Sequence, residues 1–382
     1  MAGEDLTSSE LAAPPLLPLA VEELEAGLDD LEAALTAGAV GLGLDRWFWG
    51  EGVSLLALAR LARQRDGGDH PVVVAHIDPH TRRHPVLEHV NNLAPGAALA
   101  ELLRTREHPA RMELLVAGLD WYASAPEATR APNGALEHWP GGVWADTVYM
   151  AGEFLLRAGE VLRREDLVAQ ARDQWLAHAE VLQDDASGLF AHGTHQGERI
   201  PCHWGRANAW IALAGADLVA AGADTTGEIA ERLARQLTAL ASHQPEHGVW
   251  DVLVDGQPET RGVLETSAAA GIGAAALRFA ALDPAGRTAI RAMGELAVRG
   301  ALAYVEGEHL TRVSAGTVLQ LIPFGYSVIR DDRPQPWGQG LGLEAIAAWR
   351  ETADDPGAVT RPSRGTPGDT ARHETTREQE LT

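Results

Sequence analysis

One carboxylate sits inside an otherwise uncharged run, "GGVWADTVYMAG" (residues 141–152), where Asp146 is flanked by Val, Trp, Tyr and Met. A charge in such company is costly to bury unless it is paired, hydrated or protonated. Asp146 is therefore either a proton-transfer group or, after a Gly-Gly turn, the cap of a helix. Other chemistry-bearing residues gather in stretches rich in Trp and His: "DRWFWGEG" (45–52), "LEHWPGGVWAD" (136–146), "GLFAHGTHQGERIPCHWGRANAW" (188–210), "EHGVWDVL" (246–253) and "RGVLETSAAAGIG" (261–273). Two histidine groups have the residue types of metal ligands: His76, Asp78, His80 and His84, and His192, His195, Cys202 and His203. Neither has a standard zinc spacing, and Pro79 and Pro201 are expected to break a helix carrying them, so no metal is expected.

The elements that must hold these groups are mostly helical. Apolar residues recur at helical spacing over 21–37, 53–63, 97–104, 110–123, 146–162, 166–182, 207–221, 226–242, 263–282, 285–305 and 340–351. In the stretch 226–242, Ile229, Leu233, Leu237 and Leu240 fall on one stripe. Strands are expected only at His70–His76 and Val249–Gly256. Helices alternating with short loops, without a repeat of fixed period, suggest an all-α (α/α)6 barrel rather than a solenoid or a parallel sheet. The expected division is an extension (1–20), a barrel (21–352) and a disordered tail (353–382) almost free of large apolar residues. In such a toroid alternate loops meet at one mouth, where the Trp and His stretches would line a cleft.

Composition narrows the partners. The net charge of −23 argues against nucleic acid and an anionic membrane surface as partners. All 31 basic residues are arginine, so lysine chemistry, whether a Schiff base or a P-loop, cannot operate. A single cysteine, an acidic opening segment and the lack of any spanning apolar run point to a cytoplasmic protein, with a monomer as the default. Eleven of the 20 aromatic Phe, Tyr and Trp residues are Trp, a flat half-polar ring suited to stacking on sugars or to filling a helical core.

Four motifs in register, "VWADTVYMAG", "GLFAHG", "HWGRANAW" and "LETSAAAGI", resemble glycoside hydrolase family 105, the unsaturated rhamnogalacturonyl and related glycuronyl hydrolases, with family 88 as a relative. The likeness runs from about Trp47 to Trp349. It implies an (α/α)6 barrel that removes the terminal 4,5-unsaturated uronate left by polysaccharide lyases, by hydrating the vinyl ether without cofactor. By the match, Asp146 is the general acid and base, and His192 stands beside the sugar or the attacking water. Trp204 and Arg206 hold the sugar, Arg206 through a fork suited to a carboxylate. Asn91, Trp144 and His138 are further substrate contacts, and Trp210 completes the subsite motif. Glu265, Thr266 and Ser267 are expected to cap a helix.

The chain departs from the family pattern at three places. Asn91 stands where an aspartate is usual, Thr194 and His195 replace Trp and Asp, and Ala207 and Ala209 replace glycines. Two rival readings keep the toroid: a histidine-based sugar epimerase or isomerase, which would not need the acid at Asp146, and a non-catalytic carbohydrate-binding relative.

Overall fold

The computed structural model describes residues 14–65 and 67–353. Thirteen helices occupy the described residues: α1 (Val21–Gly41), α2 (Trp49–Arg65), α3 (Pro71–Arg82), α4 (Ala94–Thr105), α5 (Pro109–Ser124), α6 (Ala145–Leu162), α7 (Glu165–Leu182), α8 (Gly205–Ala220), α9 (Glu228–Ser242), α10 (Thr266–Ala281), α11 (Thr288–Leu302), the short α12 (Pro323–Ser327) and α13 (Pro336–Ala353). Six of them form a closed inner ring, in which α2 packs on α4, α4 on α6, α6 on α8, α8 on α10, α10 on α13, and α13 back on α2. Each inner helix carries one outer partner: α3 on α2, α5 on α4, α7 on α6, α9 on α8, α11 on α10, and α1 on α13. This is the (α/α)6 toroid.

The two rings differ in sequence for a physical reason. Outer α9 buries only Ile229, Leu233, Gln236, Leu237 and Leu240, the expected stripe, and leaves its opposite face in water. Inner α8 and α10 are buried on every side and are built largely from Ala and Gly. Small residues let the inner helices approach closely. At Gly340 a Cβ would lie 2.6 Å from the Ser54 backbone nitrogen, and at Gly52 it would lie 2.7 Å from that of Pro95. Those two positions set the spacing of α13, α2 and α4.

Both expected strands are corrected. His70–His76 belongs to α3: Pro71 starts the helix, the His70 ring accepts the Val72 N–H, and the Val-rich run supplies Val73 to the buried face. Burial of a β-branched run on one helical face outweighed its extended preference. Helix α3 also runs through Pro79, contrary to expectation, and so places His76 and His80 one turn apart beside Trp47. Val249–Gly256 is a loop held by isolated bridges, Trp204 to Leu253 and Asp251 to Leu264. The described strands are two small hairpins, β1–β2 (Thr194–His195 with Glu198–Arg199) and β3–β4 (Val305–Glu306 with His309–Leu310). Gln196 and Gly197 join the first with positive φ at both turn positions, the geometry that follows strand twist.

Of the expected N-terminal extension, residues 14–20 are described, and Leu16 N–H donates to the Tyr304 hydroxyl at 2.8 Å. Residues 1–13 and the expected disordered tail beyond Ala353 lie outside the described residues. No helix among the described residues is long and apolar enough to cross a membrane.

One end of the toroid is plugged by buried charge. Arg60 of α2 meets Glu344 of α13 at 3.0 Å, Glu153 of α6 at 3.3 Å, and Asp217 of α8. Arg157 pairs with Glu153 at 3.1 Å and with Asp217, and Arg278 of α10 pairs with Glu344 at 2.7 Å. Burial, followed by the charge of Asp217, pushes Glu153 up to about 8. Asp217 is held well below the usual carboxylate range because Arg60 and Arg157 outweigh the penalty of burial. With Glu101 of α4 3.5 Å from Arg157, the network ties all six inner helices together, away from the opposite end of the toroid.

Candidate active site

The N-termini of the inner helices meet at that opposite end. Asn91 precedes α4, Asp146 lies in the first turn of α6, Arg206 in that of α8, Glu265 immediately precedes α10, and Trp337 lies in the first turn of α13. The Arg206 guanidinium lies 4.4 Å from the Trp204 ring and 5.6 Å from that of Trp337, which in turn packs against Trp49 of α2. Parallel helix starts around one opening pool their exposed N–H groups and the positive ends of their dipoles, which favours an anion there.

Asp146 does not cap its helix. The N-cap of α6 is Trp144, which makes no side-chain cap bond. Instead Asp146 Oδ2 faces His192 Nε2 at 3.3 Å, a long contact with imperfect hydrogen-bond geometry. The other oxygen, Oδ1, has no partner among the described residues, and the side chain keeps 14% exposure. One oxygen thus faces the histidine while the second has no protein partner. Burial raises the carboxyl's pKa, but the His192 contact, with the Arg206 guanidinium nearby, outweighs it, so Asp146 lies below its ordinary value.

His192 is buried and its tautomer follows from its partners. Nε2 faces the Asp146 carboxylate, an acceptor, and so carries the proton; in the neutral ring the Tyr326 hydroxyl, which also accepts the Gln320 N–H at 3.3 Å, donates to His192 Nδ1 at 2.7 Å. Nδ1 is then the acceptor, and Nε2–H points at Asp146. Trp204 closes on the same imidazole, with ring centroids 4.4 Å apart, and Trp144 lies edge-on at 5.3 Å. His138 stacks face to face on Trp144 at 4.7 Å, and its Nδ1 lies 3.0 Å from the Thr147 hydroxyl. Burial, the largest influence, pulls His138 down to about 3, so the ring is neutral at physiological pH.

Arg206 is placed differently from the sequence expectation. Its guanidinium is fully buried and ion-paired with Glu265 at 3.2 Å. It also donates to the Ser314 hydroxyl at 2.8 Å, the Ser314 carbonyl at 3.0 Å and the Ala315 carbonyl at 2.9 Å. The fork intended for a ligand carboxylate is thereby occupied by protein. Arg206 pins the base of a strap, residues 311–335, whose buried Tyr326 reaches His192. Glu265, Thr266 and Ser267 likewise are not caps. Glu265 bonds Arg206, Ser267 and Ser314, while the Thr266 hydroxyl donates to the Thr311 carbonyl at 2.6 Å. Trp204 and Trp210 are buried, the latter packed on Tyr149 at 4.7 Å. Asn91 is 8% exposed beside α6, and its amide has no partner among the described residues.

Sequence reasoning missed Tyr326. Its signal was thin: one Tyr in an otherwise apolar, Gly- and Pro-punctuated stretch whose Val318, Leu321, Ile322, Phe324 and Val328 are exposed. The histidine groups do not converge as ligands. His76 Nδ1 lies 2.5 Å from the Leu44 carbonyl and His203 Nδ1 lies 2.8 Å from Asp255, and no group of three or more His, Cys, Asp or Glu among the described residues is arranged to hold a metal ion.

Comparison with known proteins adds to this geometry. The model of Glycosyl Hydrolase Family 88 matches residues 42–353. The unsaturated rhamnogalacturonyl hydrolase YesR of Bacillus subtilis is 34% identical over 235 residues, covering 58% of this chain and 66% of YesR. Protein Atu3128 of Agrobacterium fabrum is 32% identical over 141 residues, covering 34% of this chain and 60% of its own. The matches thus span just under two thirds of these curated relatives. Among solved structures, a possible GH105 family member from Salmonella enterica superposes with TM-score 0.77 at 23% identity, covering 92% of this chain and 100% of that one. The unsaturated glucuronyl hydrolase of Bacillus sp. GL1 superposes with TM-score 0.67 at 17% identity, covering 86% and 97%. At those identities the structural likeness is one of fold.

Proposed function

The chain belongs to glycosyl hydrolase family 88, and from that membership and the setting of Asp146 we propose that it removes a terminal 4,5-unsaturated uronic acid from oligosaccharides by hydrating the vinyl ether. The observation that carries the reading is a first-turn carboxylate that caps nothing, with one oxygen held by His192 and the other without a protein partner. YesR, named for the same class of reaction, supports it.

In the proposed reaction, Asp146 Oδ1–H delivers its proton to C4, and the positive charge develops at C5 next to the ring oxygen. Water attacks C5 and returns a proton to the carboxylate, so one acid serves both halves of the addition. The resulting hemiketal opens to a ketone, and the hemiacetal left at C1 expels the partner sugar as an alcohol. One water is consumed and Asp146 is regenerated. His192 orients the carboxylate through Nε2–H, and the pooled helix N-termini attract the uronate. Arg206 acts by holding the strap. Trp144, His138 and Asn91 border the bound sugar, and residues 21–352 form the catalytic domain. A cytoplasmic monomer acting without cofactor completes the proposal.

The test is the loss of ultraviolet absorbance of the conjugated alkene when the protein meets oligosaccharides made by polysaccharide lyases. Asp146→Asn should abolish that loss while the fold, read by circular dichroism, persists. Full activity of Asp146→Asn would overturn the proposal.

A further inference from the structure

Residues 316–329 of the strap carry no charge, and among them Tyr326 alone is buried. Val318, Leu321, Ile322, Phe324 and Val328 are 53–66% exposed. The neck of this segment is closed and clamped. The Ala315 N–H donates to the Arg330 carbonyl at 2.7 Å, and Arg206 holds Ser314, Ala315 and the Thr317 hydroxyl. Beyond the neck, residues 318–329 make one hydrogen bond to the barrel among the described residues, from Tyr326 to His192. The short α12 otherwise rests on the turn Pro258–Thr260. A segment with so few buried apolar contacts opens locally at far lower cost than the helices beneath it. Its hold on the barrel is chiefly one side chain, and that side chain ends on the partner of Asp146.

We propose that residues 316–329 are a flap that docks and undocks through Tyr326, and that docking decides which oxygen of Asp146 carries the proton for the alkene. The inference rests on the proposed hydration reaction and deepens it by naming what controls its acid. Tyr326 reaches His192 at Nδ1, whereas Asp146 lies at Nε2, so Tyr326 is a positioning residue that acts through the ring. Burial holds its phenol well above the ordinary range, so the hydroxyl keeps a proton to donate. With the flap docked, that donation makes Nδ1 an acceptor and leaves the ring proton on Nε2. Asp146 Oδ2 then accepts from Nε2–H, and the proton of the carboxylic acid resides on Oδ1, the oxygen without a protein partner. With the flap undocked, Nδ1 loses its donor and takes the ring proton, and Nε2 accepts the acid's proton from Oδ2. Both states hold the same two protons, and only the docked one presents a proton to C4.

Two measurements on the full chain test this. Chymotrypsin cuts after residue 326 only when that side chain leaves the interior, so native-state proteolysis read by mass spectrometry reports the undocked population. The cut after Tyr326 should precede any cut in the inner helices. Tyr326→Phe should speed it about fivefold, after correction for the cutting rates of the unfolded chains, because one hydrogen bond is lost. The second measurement is a double-mutant cycle in kcat, read from alkene absorbance. Tyr326→Phe should cost about tenfold where residue 192 is His and less than about twofold in His192→Gln, whose amide donates from the Nε2 position and has no tautomer to lose. A cut after residue 326 no faster than those in the inner helices overturns the flap. An equal loss of kcat in both backgrounds, as a merely structural hold would give, overturns the proton placement and leaves the reaction standing. If no lyase product loses its alkene absorbance, the hydration reading fails and the proton placement with it, while the cut after residue 326 still decides the flap.

Discussion

Replacing Arg206 separates a clamp from a ligand-binding fork. Arg206 and Glu265 are both fully buried and 3.2 Å apart, so Arg206→Met leaves an uncompensated carboxylate in the interior. Breaking one half of a buried pair costs about 3–5 kcal/mol. With an unfolding entropy of about 2.1 cal/mol/K per residue, a barrel of this length has about 0.7 kcal/mol/K in total, so Tm should fall by about 4–7 °C. The hydrogen bonds to Ser314 and Ala315 go at the same time, freeing the base of the strap that carries Tyr326 to His192. The catalytic rate should therefore drop by at least about tenfold, equivalent to about 1.4 kcal/mol in the barrier. Removing both charges in Arg206→Met/Glu265→Leu should recover at least half of the lost Tm, because no buried charge is then unpaired. Calorimetric melts and steady-state kinetics at one pH decide the matter. If Arg206→Met keeps its Tm within about 1 °C and loses only substrate affinity, the guanidinium is a ligand for the uronate and the clamp is wrong.

Three further outcomes follow from the same geometry. Asp146 must carry a proton to act and lies below its ordinary value in the free protein; kcat/KM should therefore fall as pH rises through the acid range, whereas in the complex the uronate charge raises the carboxyl and moves the fall in kcat to higher pH, by about one unit. A kcat/KM that climbs from pH 5 to 7 would contradict this. Tyr326→Phe removes the proton donor to His192 Nδ1, and kcat should drop about tenfold with KM and Tm little changed; an unchanged kcat would remove the strap from the mechanism. Glu153 is pushed up from its ordinary 4.5 to about 8 in the fold, so the folded state holds a proton that the unfolded chain releases, and the stability it contributes is complete below about pH 4.5 and lost by about pH 8. Glu153→Gln should flatten the fall in Tm over that window, and an unaltered slope would place the proton elsewhere in the cluster.

The parts of this molecule that were legible in the sequence are those set by periodicity. The stripe of Ile229, Leu233, Leu237 and Leu240 announces an outer helix because burial on one face repeats every turn. The paired charges escaped notice because Arg60, Glu153, Asp217 and Glu344 are far apart in the chain and lie on four different helices. The site divides in the same way. Asp146 stood out locally, as a lone charge in an apolar run, and the structure sets His192 3.3 Å from it. Arg206 stood out equally, but its role depended on whether an acid lay within reach, and Glu265, 59 residues later, supplies one. Spacing along the chain reports which face of an element a residue occupies and carries nothing about what the ring of inner helices brings opposite it. A buried arginine read from a motif alone therefore has two meanings until its counter-ion is found. Here the counter-ion is protein, so in the proposed reaction attraction of an anionic sugar falls to the helix starts that Asp146 shares with Arg206. That shifts the expected sensitivity of substrate affinity from the guanidinium to the backbone N–H groups of Asp146, Arg206 and Ala207, which have no partner among the described residues, whereas those of Ala145 and Gly205 already donate to the His192 and Val252 carbonyls.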